Sequence, residues 1–110
     1  MEKQSYFLKS GVAISTDFQV EKELVQGNLH ILLLMESGKI PDNNIICFDS
    51  SGSMIWLVEP YSFPTGEENP YMNIKANDDK TFVGSTWKGL EAKIDLSTGK
   101  ILEKIKRRPW

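Results

Sequence analysis

LEAKIDLSTGKIL, residues 90–102, opens with a strict alternation: Leu90, Ala92, Ile94 and Leu96 are apolar, while Glu91, Lys93 and Asp95 are charged. A period of two puts the first set on one side of an extended chain and the second on the other, as in a half-buried antiparallel strand. Asp95-Leu96-Ser97-Thr98-Gly99 then supplies turn residues, and Lys100 to Ile105 reads as the returning strand before the basic end KRRPW.

The same grammar occurs 46 residues earlier in FDSSGSMIW, Phe48 to Trp56. Asp49 and Gly52 occupy the first and fourth positions of a type I turn, where the glycine is free to take positive φ. The flanks, Ile45 to Phe48 and Met54 to Val58, are β-branched, aromatic and apolar on both faces, which predicts central strands. Asn69-Pro70 introduces a strand over Tyr71 to Ala76, Asn77-Asp78-Asp79-Lys80 is a turn, and Thr81 to Trp87 is a further strand. Asn28 to Met35 and Gly11 to Ser15 complete the set. Asp17 to Gln26 is ambiguous: Thr16 could cap a helix with Gln19 three residues on, but Phe18, Val20 and Leu24 fall on one strand face with Lys22, and strand is favoured. Strands this closely spaced predict an all-β, mainly antiparallel chain with at most one short helix. The two Asp-to-Gly turns are compatible with two copies of a four-stranded unit, as in propeller blades. Two blades cannot close a ring, so the expected architecture is two twisted sheets facing each other, as a sandwich or a partial-propeller-like arrangement.

A chain of 110 residues, 40% apolar and 25% charged, predicts one β domain over 1–110. Its longest apolar run, Ile31 to Met35, is far short of the roughly 20 residues that cross a bilayer, and the N-terminal MEKQSYFLKS lacks a signal peptide's apolar core. A cytoplasmic protein without membrane contact is expected. The lone Cys47, inside NIICFD, reads as a small buried hydrophobe. Net charge is −2, which gives no reason to expect nucleic-acid binding, but the distribution is uneven. Residues 36–79 set two lysines against eight carboxylates, a net of −6, whereas residues 80–110 carry a net of +5.

Chemistry is sparse. Nucleophilic catalysis usually needs a positioned base, and the one histidine, His30 in NLHILLLM, shares an apolar strand face with Leu32 and Leu34, as a partly buried or edge histidine does. One His and one Cys give no zinc spacing, Asp78-Asp79 and Glu67-Glu68 lack an EF-hand pattern, and GSTWKG does not have the spacing of a phosphate loop. The expectation is a protein that is not an enzyme, with no metal and no cofactor. The informative segment is EPYSFPTGEENP, Glu59 to Pro70, whose three prolines and Gly66 forbid regular structure. Tyr61 and Phe63 are either exposed anchors for a protein partner or plugs folded back against an end of the fold. Glu59, Glu67, Glu68, Asp78 and Asp79 are the expected charge contacts with a basic partner.

The order NIICFDSSGSMIWLVEP, NPYMNI and STWKGLEAKIDLSTGKIL resembles a family of small bacterial β proteins that includes immunity proteins of contact-dependent growth inhibition systems, particularly one paired with a toxin of pancreatic-ribonuclease-like fold. The likeness spans roughly residues 28–102 and rests on Asp49, Gly52, Trp56, Pro70, Tyr71, Trp87, Gly89, Asp95 and Gly99. It implies an antitoxin that occludes the active site of a cognate toxin domain, with no catalytic residues of its own. The alternative reading is a non-enzymatic β binding or structural domain with a different ligand.

Overall fold

The computed structural model describes residues 3–35, 41–61, 69–86 and 89–106. Among them it forms ten strands and no helix: β1 Gln4–Phe7, β2 Ala13–Thr16, β3 Val20–Gln26, β4 Leu29–Leu34, β5 Ile45–Asp49, β6 Met54–Leu57, β7 Tyr71–Ala76, β8 Thr81–Thr86, β9 Leu90–Asp95 and β10 Ile101–Lys106. All pairs are antiparallel. β3-β4-β5-β6 and β10-β9-β8-β7 are two four-stranded meanders, and β1-β2 is a separate hairpin. No helix of the described residues is long and apolar enough to cross a membrane.

The 46-residue spacing therefore has a structural meaning. Asp49–Gly52 joins the third and fourth strands of the first meander, and Asp95–Gly99 joins the third and fourth strands of the second. In both turns the aspartate Oδ1 accepts a backbone N–H two residues on, from Ser51 or Ser97 at 2.9 Å, which fixes the bend locally. The glycines follow with φ of +93° at Gly52 and +74° at Gly99, where a side chain would be strained.

The two meanders share a core. Ile31, Leu33, Ile45, Cys47 and Trp56 from the first meet Tyr71, Ile74, Phe82, Ala92 and Ile94 from the second. Trp56 stacks on Phe82 with ring centroids 5.8 Å apart, and its indole N–H donates to Leu96 O at 2.8 Å, so one side chain both fills and cross-links the interface. Gly99 is required here a second time, because a Cβ would lie 2.5 Å from the Trp56 ring. The opposite face of the first meander is covered by the β1-β2 hairpin over Leu8, Ile14, Leu32, Leu34 and Phe48. That second burial explains why His30, Leu32 and Leu34 form one apolar row and Ile31 and Leu33 another.

Two local expectations are corrected. β6 is an edge strand rather than a central one: it ends the order β3-β4-β5-β6 with no strand paired beyond it among the described residues, and Met54, Ile55 and Leu57 are 54%, 42% and 44% exposed. In β3, a shift of register between Val20 and Lys22 breaks the alternation. Val20 pairs with Leu34, Lys22 with Leu33, Glu23 with Leu32 and Leu24 with Ile31. Val20 and Leu24 thus lie on opposite faces, Lys22 reaches across to Ile74 O at 2.6 Å, and Glu23 turns under the hairpin, where it is 8% exposed.

Candidate functional site

Around the β9-β10 turn the fold gathers carboxylates from three separate stretches. The β7-β8 turn docks on one side, where Leu96 N–H donates to Lys80 O at 2.9 Å. The end of β6 docks on the other, where Glu59 N–H donates to Gly99 O and Glu59 Oε1 accepts the Ile101 N–H, both at 2.9 Å. Glu59, Asp78 and Asp79 of the sequence expectation are thereby exposed around one turn, beside the half-buried Asp95.

These carboxylates do different work. Asp78 Oδ1 accepts the N–H of Lys80 at 2.9 Å, and the N–H and hydroxyl of Thr81 at 2.8 Å each. The Lys80 N–H first, then the Thr81 hydroxyl, hold its carboxyl below the ordinary aspartate value. Asp95 is lowered in the same way by the N–H and hydroxyl of Ser97. Both are turn residues fixed in the ionised state. Asp79, exposed beside them, takes no hydrogen bond or ion pair from the described residues. Between the two turns and the start of β4 opens a groove of about 810 Å³, with Leu29, Leu96 and Leu102 as its apolar lining and Asp78, Asp79 and Asp95 at its polar margin. This lies within the size range of ligand clefts, about 300–1,000 Å³.

Tyr61 follows the second of the two alternatives weighed for it. It is 4% exposed within the shared core, with the Lys104 ammonium 4.7 Å from its ring centroid, so it plugs the sandwich. Phe63, Glu67 and Glu68 lie outside the described residues. Cys47 is fully buried, and burial pushes its thiol up to about 12, far from thiolate reactivity.

One constellation was not foreseen. Beneath the β1-β2 hairpin, Glu23 Oε2 accepts from His30 Nδ1 at 2.6 Å, and His30 Nε2 lies 3.1 Å from Ser50 Oγ. The other oxygen, Oε1, accepts the Tyr6 hydroxyl at 2.7 Å, and Lys9 N–H donates to Oε2 at 2.9 Å. Burial raises the Glu23 carboxyl, but the Lys9 N–H, the Tyr6 hydroxyl and His30 together hold it below the ordinary glutamate value. The carboxylate accepts only, so Nδ1 carries the hydrogen. The connectivity is that of an acid–base–nucleophile relay. Around Ser50, however, the turn N–H groups are already committed: Ser51 and Ser53 donate to Asp49 Oδ1 and Gly52 to Asp49 O, so none of these is left to stabilise an oxyanion. What the network does visibly is tie the hairpin to the sheet through Tyr6 and Lys9. In the sequence Glu23 stands directly before Leu24, on the strand face opposite the expected apolar one, and it becomes informative only once the register shift is known.

Residues 11–106 match a family described as Domain of unknown function (DUF7957). No curated protein and no solved structure matches the chain.

Proposed function

The chain belongs to the DUF7957 family, and we propose that it is an immunity protein that binds the toxin domain of a contact-dependent growth inhibition system and occludes its active site. The toxin is a ribonuclease, and the protected compartment is the cytoplasm of the producing cell. A nuclease holds a polyanion, so its cleft is basic, and a surface that presents carboxylates in fixed positions competes for it. The observation that carries the reading is the convergence of Glu59, Asp78 and Asp79 with Asp95 around the β9-β10 turn. Asp78 and Asp95 are held ionised by their own turns, which keeps their charge in place without a partner.

The test is surface plasmon resonance against the cognate ribonuclease toxin domain, at two salt concentrations. Reversing Asp79 to Lys should slow association, and more so at low salt, because exposed charges are screened over about 8 Å at physiological ionic strength. Wild-type protein should also protect RNA from cleavage by the toxin. Absence of binding and of protection would dismiss the immunity reading.

A further inference from the structure

We infer that the groove between the β7-β8 turn and the β9-β10 hairpin receives an arginine side chain of the toxin, an inference that rests on the immunity reading for the identity of the partner. The groove is two-natured. Leu29, Leu96 and Leu102 give it an apolar lining, and Asp78, Asp79 and Asp95 a carboxylate margin against one cation, Lys80, among the described lining residues. Leu102 is there because the β9-β10 ladder shifts register between Ile101 and Glu103; the residue left between them is 56% exposed instead of packed in the core.

A ligand complementary to both parts carries an apolar stem and a cationic head. Arginine fits better than lysine: its methylenes cover apolar surface, its guanidinium is weakly hydrated and permanently charged, and its planar fork pairs with a carboxylate through two bonds. Asp79 is the carboxylate available for that pairing, since Asp78 and Asp95 each spend Oδ1 on a turn. Those two contribute field and Asp79 the direct contact. A groove of about 810 Å³ holds more than one side chain, so the arginine enters with neighbouring residues of a protein surface.

The inference can be tested without the toxin. In a ¹⁵N-correlation titration, millimolar N-acetyl-arginine methylamide should shift the amides of Asp79, Ser97 and Leu102, the lysine analogue should shift them less, and the uncharged citrulline analogue not at all. Asp79→Asn with Leu102→Ser should abolish the shifts while leaving the rest of the spectrum in place, since neither side chain supports a turn or the core. The same double variant should speed dissociation of the toxin complex at least tenfold. Shifts that are absent, that fall elsewhere, or that are equal for citrulline would overturn the inference. If the toxin binds wild type and the double variant alike, the groove assignment fails and the immunity reading stands. If the arginine probe binds in the groove and the toxin does not bind at all, the immunity reading fails and the groove's preference for arginine stands.

Discussion

Replacing Glu23 with alanine should destabilise the protein by about 3–5 kcal/mol, the lower part of the sum for three donors left without their acceptor. Its carboxylate accepts three hydrogen bonds, from the Tyr6 hydroxyl, the Lys9 N–H and His30 Nδ1. Each buried donor left without an acceptor costs about 1–3 kcal/mol. Tyr6 and Lys9 are only partly covered and can recover a bond to water, whereas His30 is 3% exposed and cannot, which keeps the total toward the lower half of the three-donor sum. Against a total stability of about 5–15 kcal/mol, the loss is large. Glu23→Gln retains one acceptor oxygen and should cost less. The pH dependence separates charge from packing. Glu23 sits below its ordinary value when folded, so its stabilisation is complete above the unfolded value, about pH 4.3, and is lost as pH falls through the folded value. Glu23→Gln should therefore show a shallower acid limb than wild type, with Asp49, Asp78 and Asp95, also lowered, supplying the remainder. Urea unfolding followed by tryptophan fluorescence, at pH 7 and in steps to pH 3.5, measures both effects. A cost for Glu23→Ala below about 1 kcal/mol, that of an ordinary exposed hydrogen bond, would refute the argument. So would an unchanged acid limb in Glu23→Gln.

Gly99→Ala should cost about 2–5 kcal/mol, combining left-handed backbone strain with a collision against Trp56, whereas Gly27→Ala, with φ +59° and nothing within 4 Å, should cost only the strain, about 1–2 kcal/mol. Equal costs by the same unfolding measurement would show that the Gly99–Trp56 contact is not what selects glycine there. Tyr61→Ala should lose about 3–5 kcal/mol as a large-to-small core substitution, visible as a lowered denaturation midpoint before any toxin is added. A variant as stable as wild type but deficient in binding would return Tyr61 to the role of an exposed anchor.

The alternation over Leu90 to Leu96, the two Asp-to-Gly turns and the turn residues elsewhere made β2 to β10 and their antiparallel sense legible, in keeping with the absence of helix among the described residues, whereas β1 Gln4–Phe7 was not read. These features are local: a period of two and an aspartate bonding to its own turn depend on neighbours a few residues away. His30's place in an apolar row and Cys47's burial were legible for the same reason. The register shift in β3 was not, because one extra residue inverts every later side chain and its position is chosen by what the opposing strand offers. With it went the position of Glu23, and so the whole Tyr6–Glu23–His30–Ser50 network, whose members come from β1, β3, β4 and the β5-β6 turn. The acidic site divides along the same line. Asp78 and Asp79 were readable as exposed turn carboxylates, but their place beside Asp95 follows from the β8-β9 register, in which Thr81 pairs with Asp95, and Glu59 joins them only because the chain after β6 docks on Gly99 and Ile101 of the other meander. Charge along a chain is a one-dimensional quantity, and only the shared core of the two sheets converts it into a surface with a groove in it.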